Sequence, residues 1–160
     1  MSDDHDLAFP GDRLYAAEQD MWVLPEAGNR VRVGATHWVA AHGQFMYFAP
    51  RPIGTRIDRD RSLGVMETAK TLVAIHAPVA GRIVEVNDAV VADVSLIARD
   101  PYGSGWMFVL EASDFAAQRG LLLDAAAYAR WLEPRAQDKA RQRPIDDSGD
   151  SLVVDPHRGY

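Results

Sequence analysis

A primary amine held out on a tight turn is a nucleophile, and residues 64–81 offer one. The segment runs Gly64-Val65-Met66-Glu67-Thr68-Ala69-Lys70 and continues from Thr71 through Leu72-Val73-Ala74-Ile75 to Pro78 and Gly81. Leu63, Val65 and Glu67 alternate with Gly64, Met66 and Thr68, and the stretch after Thr71 is rich in β-branched residues. Alternation and β-branching fit half-buried strands. The pattern predicts one β-hairpin with Ala69-Lys70 at its turn, facing solvent, and the next turn punctuated by Pro78 and Gly81. Residue usage singles out the same position. Of 17 basic residues only Lys70 and Lys139 are lysines; the other 15 are arginines. Guanidinium stays protonated and is a poor nucleophile, so a side chain that must become an amide has to be lysine. The same count also fits a solvated turn lysine with no role.

Other chemistries find little support. Cysteine is absent, which excludes disulfides, thiolate metal sites and a cysteine nucleophile. His5, His37, His42, His76 and His157 show no zinc-type spacing. His76, in a strand before Ala77-Pro78, reads as a packing residue, and Trp22, Trp38, Trp106 and Trp131 read as core or rim. Gly34 and Gly103-Ser104-Gly105 read as backbone punctuation, since no phosphate-loop pattern accompanies them. No Ser-His-Asp motif is present. The net charge of −6 argues against nucleic acid or an anionic membrane as partner. No apolar run approaches the ~20 residues of a membrane span. The acidic start MSDDHDLAFPGD lacks a secretory core, so a cytoplasmic location is expected.

The elements that must position Lys70 follow from the same patterns. At 160 residues the chain reads as one domain with tails. Residues 1–12 read as an acidic tail, 13–133 as the folded domain, and 134–160, charged and poor in apolar residues, as a mobile tail. Met21–Leu24 and Arg30–Gly34 form a hairpin across the turn at Pro25–Asn29. Thr36 can cap a short helix that ends at Gly43. Phe45–Ala49, Arg82–Val86 and Trp106–Glu111 are further strands. Ser113 caps a helical tract, with helical spacing from Leu121 to Trp131. Ile53–Ile57 and Ala80–Val84 echo each other, each a glycine before a basic, β-branched strand. Short strands with frequent turns predict a mainly β sandwich or flattened barrel of antiparallel strands, with small flanking helices and one helix at the C-terminal end.

Residues 15 to about 130 resemble the H protein of the glycine cleavage system, within the lipoyl-domain superfamily. The resemblance is carried by Tyr15 through Trp22-Val23, Val33-Gly34-Ala35-Thr36, Gly54-Thr55, and GVMETAK ending at Lys70. It continues in Ala77-Pro78-Val79-Ala80-Gly81, Val84-Glu85-Val86-Asn87, Pro101-Tyr102-Gly103-Ser104-Gly105-Trp106 and Leu122 through Tyr128. It implies a barrel-sandwich hybrid fold and a carrier that is not itself an enzyme. It also implies lipoate joined by an amide to Lys70, installed by a lipoate ligase or lipoyl transferase. Glu67 matches the acid of that family's attachment motif. Biotin carriers share the fold but set their lysine between methionines, whereas Ala69 and Thr71 flank Lys70 here.

Three departures from the family bear on the cargo. The position four residues after the lysine, usually aspartate, is Ala74. The Thr-Asp pair and the residue after it read Thr36-His37-Trp38. Ala49-Pro50-Arg51-Pro52 replaces an acidic segment, and the tail is longer. A protonated methylamine needs an acceptor, because a buried unpaired ammonium is costly; Glu18 remains as a candidate. These departures resemble the lipoate-binding relatives that serve a heterodisulfide-reductase-like complex in sulfur oxidation, whose cargo needs no ammonium pocket. The sequence therefore leans to a sulfur or electron carrier. A true glycine cleavage H protein is the alternative, and an unlipoylated structural or regulatory module a third reading.

Overall fold

Alternating apolar residues close the chain into two antiparallel sheets. The computed structural model describes residues 9–40 and 44–142. The larger sheet contains β1 (Leu14–Ala16), β2 (Met21–Pro25), β3 (Arg30–Ala35), β5 (Arg56–Ile57), β8 (Gly81–Val86) and β9 (Phe108–Ala112), in the order β1-β2-β3-β9-β8-β5. The smaller contains β4 (Phe45–Pro50), β6 (Ser62–Thr68) and β7 (Leu72–His76), in the order β4-β6-β7. Val23, Val33, Ile83, Phe108 and Leu110 from one sheet and Phe48, Leu63, Met66 and Ile75 from the other form one buried core. The rings of Phe48 and Phe108 meet edge to face across it, 5.7 Å apart. Each such side chain contributes about 1.5–3 kcal/mol through burial. The mainly β architecture expected from the sequence is thus the one found.

The echoing segments turn out to be partners. β5 and β8 pair antiparallel with Arg56 opposite Arg82 and Ile57 opposite Gly81, and the bonds Gly54 N to Ile83 O and Ile83 N to Thr55 O extend the ladder.

A second buried cluster, Tyr15, Trp22, Tyr128 and Leu132, joins the larger sheet to the C-terminal helix. Tyr15 and Tyr128 stack with ring centroids 5.0 Å apart. Gly34 is more than punctuation here: a Cβ on it would lie 2.7 Å from the Trp22 ring.

The helices depart from the sequence-based reading in several places. α1 (His37–Ala40) starts where it was expected, with Thr36 O accepting from Val39 N and Ala40 N while the Thr36 hydroxyl bonds the Tyr128 hydroxyl at 3.0 Å; its expected end at Gly43 lies outside the described residues. α2 (Asp88–Ala92) and α3 (Leu96–Arg99) have no counterpart in the sequence-based reading, being too short to show a period. Asn87 caps α2 through Ala89 N and donates to the Ser104 and Trp106 carbonyls. α4 (Phe115–Gln118) is capped by Asp114, not Ser113, whose amide bonds Ala80 O. Leu121 closes a 3₁₀ turn, and α5 (Ala125–Gln142) starts later, with Asp124 accepting from Ala127 N. α5 runs through Pro134 to Gln142, so residues 134–142 continue the domain where a tail was expected. Residues 9–12 also belong to the packed structure: Phe9 stacks on His37, and Pro10 O accepts from the Tyr15 hydroxyl. The remainder of both expected tails lies outside the described residues.

Candidate functional site: the lysine turn and the cleft beside it

β6 and β7 form the expected hairpin, with Met66 opposite Val73 and Glu67 opposite Leu72. Thr68 N donates to Thr71 O at 2.8 Å, leaving Ala69 and Lys70 as the two turn residues. Two-residue hairpin turns usually need positive φ at a central residue, but neither Ala69 nor Lys70 has it. The Thr68 hydroxyl supplies the closure. Its Oγ1 accepts from Lys70 N and from Thr71 N, each at 3.2 Å. A threonine side chain so placed stands in for a turn carbonyl. Lys70 is exposed, and its side chain makes no ion pair with any described residue. An acylating enzyme can therefore reach the amine without unfolding anything or breaking a bridge.

The base of the hairpin is held differently. The register shifts between Ser62 and Gly64, so Leu63 and Gly64 are both buried and the simple alternation read from the sequence breaks there. Gly64 has φ +153, and a Cβ on it would fall 2.5 Å from Ala49 O. Only glycine lets β4 and β6 approach this closely.

Beside the hairpin lies a cleft of about 530 Å³. One wall is β7 from Thr71 onward, the edge strand of its sheet. The other is the Glu18–Met21 segment, which leads from the β1–β2 turn into the first residue of β2, and Met66 and Met107 also line the space. The cleft begins at the residue that follows Lys70, so a flexible chain on that lysine can fold back into it. A second, polar groove of about 540 Å³, over Arg56, Arg82 and Glu111, shares no lining residue with it.

The wall opposite the hairpin is anchored by a network around the buried Asp20. Asp20 has φ +55 and is buried. Its carboxylate accepts from the Tyr128 hydroxyl at 2.7 Å and from Arg135 at 3.3 and 3.4 Å. The Arg135 guanidinium also lies 4.4 Å from the centre of the Trp131 ring. Burial, then the Asp20 charge, pushes the Tyr128 hydroxyl pKa far above its usual value, so it stays a donor. Gln19 Nε2 donates to Asp60 Oδ1 at 3.2 Å.

The positions singled out by sequence fall as follows. Lys70 occupies the turn, and Glu67 is exposed on the strand leading to it. Ala74 and Glu18 line the same cleft from opposite walls, Glu18 at its exposed rim. His37 faces away from it, with Nδ1 2.7 Å from the Tyr102 hydroxyl. His76 is no core residue. It lines the cleft half-exposed, Nδ1 3.1 Å from Asp60 O. The anchoring set Asp20, Tyr128 and Arg135 was not foreseen, since its bonds span 108 and 115 positions and no local pattern marks them. Among the described residues no group of His, Asp and Glu could hold a metal ion. No helix among them is long and apolar enough to cross a membrane.

Comparison with known proteins agrees with this geometry. The family model described as glycine cleavage H-protein matches residues 13–135. The chain is 40% identical over 131 residues to the glycine cleavage system H protein of Thermus thermophilus, covering 81% of this chain and all of that one. It is 38% identical over 124 residues to the H protein of Beutenbergia cavernae, covering 77% and 95% of the two chains. The crystal structure of a glycine cleavage system H protein from Mycobacterium marinum superposes with a TM-score of 0.64 at 35% identity, over 76% of this chain and 96% of that one. These relatives bear out the lipoyl carrier and give no support to the sulfur-oxidation branch toward which the sequence leaned. The chain belongs to the glycine cleavage H-protein family, and like its members it is a carrier of lipoate held covalently on a lysine, not an enzyme.

Proposed function

We propose that this chain is the H protein of a glycine cleavage system, that Lys70 is its attachment lysine, and that the loaded arm shelters in the cleft along β7. The carrying observation is the juxtaposition of the exposed Lys70 turn with a cleft that opens at Thr71. Supporting it, the relatives described above are glycine cleavage H proteins that match over nearly their whole length. Bound lipoate supplies a dithiolane whose sulfurs take up and release a group or electrons. The protein's part is placement. A lipoyl-lysine arm of about ten bonds reaches on the order of 14 Å, and tethering holds it at roughly millimolar concentration for each docked partner. Those partners are a lipoate ligase or lipoyl transferase, the glycine decarboxylase and the aminomethyltransferase.

In the cleft, Met21, Val39, Met66 and Met107 exclude water, and Glu18 at the rim is the carboxylate available to a cationic aminomethyl cargo. Ala74 gives the β7 wall no acid, which favours a second reading in which a sulfur or electron cargo needs no such acceptor. One experiment separates them. Lipoylated protein with its arm in the oxidised, disulfide form is incubated with glycine decarboxylase and glycine, then weighed intact. A mass gain equal to one aminomethyl group on one sulfur plus a hydrogen on the other supports glycine cleavage. Lipoylation at Lys70 without that gain favours the second reading. No lipoylation, or lipoylation that survives Lys70→Arg, removes both.

A further inference from the structure

We propose that His76 holds the nitrogen of the cargo, its Nε2 accepting a hydrogen bond from the ammonium of an aminomethyl group carried into the cleft. This rests on reading the chain as a glycine cleavage H protein with its arm on Lys70. Reach selects the position. The arm extends on the order of 14 Å, and the S–CH2–N linkage of the cargo adds about 3 Å. A strand rises about 3.3 Å per residue, so a loaded arm laid along β7 ends roughly five residues past Lys70, between Ile75 and His76. Thr71 and all of β7 line the cleft, and His76 is the last residue of that wall. Leu72, Ala74 and His76 lie on one face of the strand, and the buried Ile75 lies on the other. Of those three only His76, half-exposed, has a side chain that can hydrogen-bond.

The surroundings of the ring fix which nitrogen is offered. Nδ1 lies 3.1 Å from the Asp60 carbonyl oxygen. A carbonyl oxygen only accepts, so Nδ1 carries the hydrogen of that bond, and in the neutral ring the lone pair sits on Nε2. Nε2 has no hydrogen-bond or ion-pair partner among the described residues. The carbonyl itself is locked. Asp60 adopts φ +73, its amide donates to Ala77 O, and Ala77 N donates to Arg61 O, each bond 2.8 Å long. A left-handed backbone at a residue other than glycine persists where its neighbours over-determine it. The Asp60 carboxylate accepts from Gln19 Nε2 at 3.2 Å and lies 4.0 Å from His76 Nδ1, so a negative charge stands behind the ring. An acceptor backed by a carboxylate favours a cationic donor. Glu18, exposed on the opposite wall, adds a second negative charge at the rim. A sulfur or electron cargo brings no cationic N–H to this site.

The test exploits the absence of cysteine, which leaves the arm's thiols as the only ones in the protein. Oxidised lipoyl protein is loaded with glycine and glycine decarboxylase, so that one sulfur bears the aminomethyl group and the other is a free thiol. The rate at which N-ethylmaleimide alkylates that thiol, followed by intact mass, reports how often the loaded arm leaves the cleft. His76→Asn keeps an amide N–H for Asp60 O and removes the acceptor. In it the loaded arm should be alkylated about tenfold or more faster than in wild type, as expected for losing one hydrogen bond to a charged group. His76→Gln, whose amide oxygen can stand where Nε2 does, should recover most of the protection. An arm that is reduced but unloaded has no ammonium, and on it the variants and wild type should react alike. Loaded His76→Asn within about twofold of loaded wild type would overturn the role of His76 and leave the carrier reading standing. So would an equal acceleration of the unloaded arm, which assigns His76 to the shape of the cleft alone. Wild-type protein that takes up no aminomethyl group strikes the underlying reading instead.

Discussion

The two walls of the cleft are built on opposite terms. The Glu18–Met21 wall is tied inward: Asp20 is held by Tyr128 and Arg135 from α5, and Trp22 fills the space left by Gly34. The β7 wall belongs to a hairpin with solvent on its outer face and no strand along its edge. The first wall draws its fixity from residues more than a hundred positions away, the second from its own turn and from one glycine at its base. The function proposed above calls for this asymmetry: a pocket that shelters a cargo must keep its shape, while a ribbon that presents an amine must be reachable by several enzymes.

Substitutions on each side sharpen or break the contrast. The largest effect is expected at the hairpin base, where Gly64→Ala would set a Cβ 2.5 Å from Ala49 O at φ +153. A loss of about 3 kcal/mol or more in urea unfolding is expected; less than 1 kcal/mol would mean that β4 and β6 are not locked together there. Tyr128→Phe comes next. It removes one donor from the buried Asp20 carboxylate and the partner of the Thr36 hydroxyl, costing about 1–3 kcal/mol by the same measurement. It should also loosen the Glu18–Met21 wall, seen as faster amide exchange there and not in β7. Thr68→Val should cost only about 1 kcal/mol, with faster exchange confined to the amides of Lys70 and Thr71. Spread of that change to β2 would show that the walls are coupled.

The smallest effect concerns His37, whose pKa burial lowers below the ordinary 6.5. A histidine depressed in the folded state leaves the unfolded chain holding more protons, so stability rises with pH up to about 6.5. Its contribution is complete above that value and fades as pH falls toward the lowered folded pKa. Urea midpoints measured from pH 5 to 7 should slope less in His37→Gln than in wild type.

What could be read from the sequence was whatever is written locally. The Lys70 hairpin, the β2–β3 pair and the strands around Phe45, Arg82 and Phe108 follow from alternation, β-branching and turn residues within a few positions. The bulge before Gly64 was not readable, because a one-residue shift leaves composition untouched and only reverses facing. α2 and α3 are four or five residues long and hold too little of a helical period to stand out. The end of α5 was misplaced because Pro134 and the charged run after it look like a stop, whereas Arg135 is fastened by a carboxylate contributed near the other end of the chain. The cleft was legible only as isolated residues, Glu18 and Ala74; that they face each other is a property of the closed sheets.

The turn has one consequence if Lys70 is the attachment lysine proposed above. Since a neighbouring hydroxyl secures the bend, and neither central residue adopts a left-handed backbone, no bond in it depends on the ammonium. Converting that cation to a neutral amide erases a charge without touching the scaffold. The bend itself should therefore be equally stable in both forms, so any difference in melting between them reports the arm's contact with the cleft.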